Sequence, residues 1–172
     1  MCAAAITLEL ARPPDAPVIA RMSRDLVEAG LGWKYQVPTV LRAIADAATL
    51  TLVARDRCNA AGLAGFAMAH FGDERAHLVL LAVQPSHQRQ GIGRKLMQWL
   101  LASATTAGII HIELELRAGN LAALRFYNAV GFGEIARVAG YYRQESAIRM
   151  RRTLREPGPA LPAWQAPTLR RR

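Results

Sequence analysis

Residues 76–83, AHLVLLAV, are apolar on both faces, and the following QPSHQRQGIG passes through a proline and two glycines straight into an amphipathic stretch. A strand without a polar face has to be covered on both sides, so helices must lie above and below the sheet that contains it. From Gly91 to Ala107 the residues Ile92, Leu96, Trp99, Leu100 and Ala107 recur at three- and four-residue spacing, and Gly108 supplies a stop. That spacing predicts a helix packed on the sheet. With 172 residues, 52% of them hydrophobic, the chain can bury one sizeable core and is short for two, so a single α/β domain is expected.

The remaining chain supplies partners for the central strand. Ile6, Leu8 and Leu10 alternate with Thr7, Glu9 and Ala11, a half-buried strand stopped by Pro13 and Pro14. Asp15 is expected to cap a helix to about Ala29, ended by Gly30, and Pro38 and Thr39 to open a second one to about Ala48. LTLVAR and GLAGFAMAHF read as a hairpin across DRCNAA. In IIHIELELR, Ile110, Ile112, Leu114 and Leu116 share one strand face, with His111, Glu113, Glu115 and Arg117 on the other. Asn120 caps a short helix that Gly131 ends, and strands near Phe132–Val138 and Ala147–Leu154 close the fold.

Charge and cysteine usage exclude several classes. The net charge of +9 is uneven: residues 1–136 hold 13 Lys and Arg against 11 acidic residues, and residues 137–172 hold 9 Arg against 2 Glu. The excess therefore belongs to the C-terminal end, where a solvated segment is expected rather than a nucleic-acid reader, which needs a groove-entering element beside its charge. Cys2 and Cys58 form no CxxC and the four histidines show no ligand spacing, so no disulfide framework and no metal site are expected. The opening MCAAAITLELARPP lacks a basic leader, and no apolar run reaches the roughly 18 residues of a membrane span. A reducing cytoplasm is the expected compartment.

A helix that starts directly after a strand offers unpaired N–H groups and the positive end of its dipole, so an anion is stabilised there without a cationic side chain. Gly91 and Gly93 would let phosphates touch the backbone, with Arg89, Arg94 and Lys95 nearby. The same glycines could instead serve only tight helix-to-sheet packing. No GxxxxGK[ST] is present. GxGxxG is incomplete, because Leu96 takes the third glycine's place and too little chain follows for a second βαβ unit.

The run Gln88, Arg89, Gln90, Gly91, Ile92, Gly93 resembles the coenzyme A motif of the Gcn5-related N-acetyltransferase (GNAT) superfamily, Gln/Arg-x-x-Gly-x-Gly/Ala after a strand ending near V-x-P. LELRAGNLAALRFYNAVGF, residues 114–132, is similar to the family's second motif of strand, Asn, helix, Tyr and Gly-Phe. The resemblance covers about residues 6–154, and LELRAGN, the Tyr127 spacing and GYYRQESAIRM are most similar to RimI-type enzymes that acetylate protein N-termini. It implies an α/β GNAT fold of six to seven strands in a mixed sheet, splayed between strands 4 and 5 and flanked by about four helices. The domain would span 1–154, with a Pro/Arg-rich tail at 155–172.

The implied activity is acetyl transfer from acetyl-CoA to a primary amine, a protein N-terminus or a small amine, by a monomer or homodimer acting through a ternary complex. By the same resemblance Leu81, Ala82 and Val83 would bind the pantetheine arm and thioester oxygen. Gln88 to Gly93 with Arg94 would take the diphosphate, and Asn120, Ala123 and Tyr127 would flank the coenzyme. Tyr127, seven residues after Asn120, would be the general acid and Glu115 the general base, with Glu113 in reserve. Tyr141 and Tyr142 would shape the acceptor slot. A Glu115–Arg117 or Glu113–Arg117 surface pair, a merely packed Tyr127 and a purely capping Asn120 are the structural alternatives. Residues 30–48 match no acceptor pattern. The non-enzymatic alternative is a basic ribosome- or nucleic-acid-binding module.

Overall fold

The computed structural model describes residues 6–57, 62–142 and 145–155. Its order is β1 (Ile6–Leu10), α1 (Ala16–Met22), α2 (Val37–Ala45), β2 (Thr49–Asp56), β3 (Leu63–Phe71), β4 (Arg75–Val83), α3 (Ile92–Thr106), β5 (His111–Arg117), α4 (Leu121–Ala129), β6 (Gly133–Tyr142) and β7 (Glu145–Thr153). A π-helical turn, Ser23–Val27, prolongs α1. The Arg-rich end beyond Arg155, Cys2 and Cys58 lie outside the described residues.

The seven strands form one sheet in the order β1-β2-β3-β4-β5-β7-β6. Only β4 and β5 pair in parallel, and their pairing consists of Arg75↔His111, Ala76↔Ile112 and His77↔Glu113. Past that point β4 stays on β3 while β5 follows β7, so the sheet opens between them, as the expected splay requires. β4 also carries a bulge: Leu80 pairs Met68 and Leu78 pairs Ala69, leaving Val79 without a partner. One inserted residue reverses the side-chain alternation. Ala76 and Leu78 accordingly pack in the core under α3, and Leu80 and Ala82 in the core under α1 and α2.

The central strand is thus buried on both faces, as its sequence requires. On α3 the inner residues are Ile92, Leu96, Met97, Leu100, Leu101 and Ala104, whereas Trp99 sits at the stripe's edge and is exposed. The helix spacing fixed the face but not its rim. Asp15 stands at the N-cap of α1 as expected, but its carboxylate caps no N–H of that helix; it accepts the Arg12 N–H of the preceding 3-10 turn and the Arg55 guanidinium. The second helix stops at Ala45 because β2 starts at Thr49. Tyr141 and Tyr142, expected in a loop, end β6, which runs four residues further than its apolar pattern; Tyr142 pairs with Glu145.

The C-terminal arginines are partly structural. Arg149 and Arg151 stand opposite Glu115 and Glu113 in the β5–β7 register and bind them, Arg137 binds Glu134, and Arg152 donates to the Val130 carbonyl. Four of the cations read as a solvated basic end are therefore strand residues with internal partners.

Candidate active site

Two clefts open on the sheet where β4 and β5 part. The larger, about 790 Å³, lies between the end of β4, the turn into α3 and α4; the other, about 550 Å³, lies between β4, β5 and residues 26–35. They share Leu81, Ala123 and Tyr127. A group bound in one cleft and a group bound in the other meet at Tyr127.

The larger cleft is lined by Leu81, Ala82, Val83, Gln88, Arg89, Gly91, Ile92, Gly93, Arg94, Ala123 and Tyr127, which is most of the residue set expected for a coenzyme. His87 and Arg125 join them. Backbone geometry explains the turn: Arg89 and Gly91 take φ of 63° and 79°, the left-handed region that costs a side chain energy, and Gly91 is the N-cap of α3. At Gly93 a Cβ would lie 3.4 Å from the Phe126 ring of α4 and 3.7 Å from the Val83 side chain, at the edge of ordinary contact. The first glycine serves the turn; the second faces α4 and the end of β4.

Alternation along β4 selects which amides face the gap. The Gln84 N–H donates to the Ala64 carbonyl at 2.8 Å, so Ala82 is also a hydrogen-bonded partner of β3, and Leu81 and Val83 turn their N–H and C=O groups away from it. The Gln88 side chain donates to the Val83 carbonyl at 3.0 Å, which ties the turn to the strand. Of the three residues expected to offer backbone groups, Leu81 turns both toward the gap, Val83 only its N–H because Gln88 holds its carbonyl, and Ala82 is engaged by β3. Gln90 donates to the Ser86 carbonyl and lines neither cleft.

The fit to an acyl-coenzyme is therefore physical. The 15-residue α3 supplies first-turn amides and a dipole end, Arg89, Arg94 and Arg125 line the cleft as cations suited to an anionic group, and β4 has a strand edge with which an amide-bearing arm could pair.

The smaller cleft contains Glu115, Asn120, Tyr127 and Tyr141 from the expected set, and His77, Lys34, Tyr35, Glu28 and Arg117, which sequence reasoning missed. Glu115, with its side chain 12% exposed, has Oε1 3.0 Å from Arg149 Nε and Oε2 3.2 Å from His77 Nε2. Arg117 does not pair with either glutamate, as the structural alternative had it; its guanidinium donates to the Val27 and Ala29 carbonyls and holds the end of the π-helical turn. Glu113 lies outside both clefts. Burial pushes its carboxyl up, but the hydrogen bond and charge of Arg151, with His111 and Arg149, outweigh this and hold it below the usual carboxylate range. Asn120 caps α4 through the Ala123 N–H at 3.1 Å and lines the smaller cleft, not the larger one expected for a coenzyme.

Residues 28–35 carry no recognisable pattern because their order comes from one buried carboxylate. Glu28 accepts the Ser23 hydroxyl at 2.9 Å and the Lys34 and Tyr35 N–H groups at 2.7 and 3.2 Å. It draws the loop into the cleft wall. Burial and the nearby Glu28 push the Tyr35 phenol up, so it stays a neutral hydroxyl. Edge-on contacts with Phe126 and Phe132 set the Tyr127 ring. Among the described residues no group of three or more His, Cys, Asp or Glu could hold a metal ion, and no helix is long and apolar enough to cross a membrane.

A splayed mixed sheet with a glycine turn at the parted edge defines a class of acyltransferase, and the chain belongs to it: residues 21–132 match the model of the acetyltransferase (GNAT) family. The chain is 38% identical over 93 residues to a [Ribosomal protein bS18]-alanine N-acetyltransferase of Salmonella typhimurium, which covers 54% of this chain and 60% of that protein. It is 39% identical over 79 residues to N-alpha-acetyltransferase RimI of Mycobacterium tuberculosis, 45% of this chain and 48% of that one. In sequence it thus spans about half to three fifths of these relatives. The crystal structure of the ribosomal-protein-S18-alanine N-acetyltransferase from Escherichia coli superposes with a TM-score of 0.76 at 26% identity, covering 91% of this chain and 98% of that one.

Proposed function

We propose that the protein transfers an acetyl group from acetyl-CoA to a primary amine, with a protein N-terminus as acceptor. The carrying observation is the junction of two clefts at Leu81, Ala123 and Tyr127, one built for an anionic coenzyme and one holding an ionisable pair, Glu115 and His77. The relatives named for N-terminal alanine and α-amine acetylation support the choice of acceptor. The bound thioester supplies an activated acetyl carbon.

The chain's own residues supply the rest. Leu81 presents an N–H toward the gap, where a backbone donor aimed at a developing oxyanion is worth about 10²–10³ in rate. Glu115 takes the proton of the ammonium, directly or through a water, and such a base contributes about 10²–10⁴-fold. Tyr127, at the shared wall, hands a proton to the leaving sulfur. The apolar floor of Leu31, Leu78, Leu80 and Leu114 favours the neutral amine over the ammonium. Lys34, Tyr35 and Tyr141 line the cleft that receives the acceptor's first residues.

Both clefts are built from one chain, so the reading asks for no second subunit, and it places the enzyme in the cytoplasm with its acceptors. The test is coenzyme A release monitored with peptides of varied first residue against small amines such as polyamines. Turnover of peptides with kcat/KM well above that of small amines is expected. Preference for small amines would replace the acceptor, and absence of coenzyme binding would remove the function.

A further inference from the structure

The larger cleft carries more positive charge than a diphosphate takes up. Among the described residues that line it are three arginines, Arg89, Arg94 and Arg125, and no carboxylate. None of the three has an ion-pair partner among the described residues. The other polar side chains of the cleft are engaged: His87 has Asp56 at 3.3 Å and Ser86 at 2.9 Å on its two ring nitrogens, and Gln88 donates to the Val83 carbonyl.

The three cations fall into two places. Arg89 and Arg94 flank Gly91, where the first-turn amides of α3 receive an anion. Arg125 stands apart from them on α4. On that helix Ala123 and Tyr127 belong to the wall shared with the smaller cleft, whereas Ala122, Arg125 and Ala129, at three- and four-residue spacing, line the larger cleft alone. The Arg125 Nε donates to the Leu121 carbonyl at 3.3 Å, which lays the side-chain stem along α4 and leaves the terminal nitrogens to face a ligand.

We propose that Arg125 binds the ribose 3′-phosphate of the coenzyme and so selects coenzyme A over its dephosphorylated form. This rests on the coenzyme reading of the cleft. The order of groups along the coenzyme is fixed covalently, from thioester through pantetheine and diphosphate to the ribose. With the thioester at Leu81 and Tyr127 and the diphosphate at the α3 turn, the ribose lies past the turn, on the side of the cleft that the acceptor does not share. Arg125 is the cation left for it. A phosphate monoester carries about 1.5–2 negative charges near pH 7, and a planar guanidinium meets its oxygens with paired N–H bonds. Ala122 and Ala129, about one turn to either side, keep the approach to Arg125 free of bulk.

Calorimetric titration of the full chain with coenzyme A and with dephospho-coenzyme A, which lacks only the 3′-phosphate, tests the proposal. The native protein is expected to bind coenzyme A about tenfold more tightly or better. In Arg125→Ala the two affinities are expected to come within about threefold of each other, because coenzyme A weakens while dephospho-coenzyme A barely changes. Retained binding of the dephosphorylated ligand shows at the same time that the cleft is intact. Arg94→Ala is expected to weaken both ligands by similar factors and to keep the preference. Equal affinity of the native protein for the two ligands would overturn the proposal, and so would a preference that survives Arg125→Ala. An equal loss for both ligands in that variant would overturn it too, by assigning Arg125 to the diphosphate. A native protein that binds neither ligand would defeat the coenzyme reading itself.

Discussion

Tyr127 is the side chain on which the two clefts converge, and its hydroxyl is the only part the proposed chemistry uses. Tyr127→Phe keeps the edge-on ring contacts with Phe126 and Phe132, so the fold and coenzyme affinity should persist while kcat falls about 100-fold or more, measured by steady-state thiol release. Glu28 is a contrasting case, a buried carboxylate with no part in the proposed chemistry that holds the wall of the smaller cleft through three donors. Glu28→Ala leaves two backbone N–H groups unpaired, and the expected outcome is a raised KM for peptide with coenzyme affinity unchanged. The Tyr127 position was legible from its spacing to Asn120. Glu28 was not, because nothing in its neighbourhood marks a residue whose partners are backbone groups six and seven positions ahead.

β4 decides more than any other element. Its bulge at Val79 sends successive apolar side chains into two different cores, and its parting from β5 exposes the Leu81 and Val83 amides. Both depend on β3 lying close, and Gly65 permits it: a Cβ there would sit 2.9 Å from the Ala82 carbonyl oxygen. Gly65→Ala should therefore displace the end of β4, costing about 1–3 kcal/mol of stability and weakening coenzyme binding together, checked by thermal unfolding and calorimetry. Strand existence and apolar character were readable in AHLVLLAV, and so was the glycine turn after it. The bulge was not, since an all-apolar strand has no alternation whose reversal could be seen. β6 ran beyond its expected end for a related reason: its register on β7, not its own residues, carries pairing as far as Tyr142.

For the molecule as a whole, the two clefts meeting at one wall predict transfer in a ternary complex. Initial-velocity plots should intersect, and no acetylated enzyme should appear by mass spectrometry in the absence of acceptor; parallel plots would contradict the shared wall. The β5–β7 ladder of Glu113–Arg151 and Glu115–Arg149 also links the site to global stability. The folded Glu113 carboxyl lies below its unfolded value near 4.3, so its contribution is present above that pH and is lost as pH falls through the folded value. Acid-unfolding curves should lose this part of their slope in Glu113→Gln, with little change at pH 7 beyond the loss of the pair.

Apolar period, turn residues and two spaced motifs were enough to define the layers, the order of elements, the glycine turn and the tyrosine. These are local properties: each is written in side chains within a few positions of one another, and burial then has one economical solution. Which glutamate enters the cleft, which amides of β4 are exposed, where residues 28–35 go and what stands beside Glu115 were settled only by the fold. Glu113 and Glu115 are equivalent in an alternating strand, and they become different because β4 parts from β5 after His77, so one carboxylate stays beside a paired strand and the other borders open space.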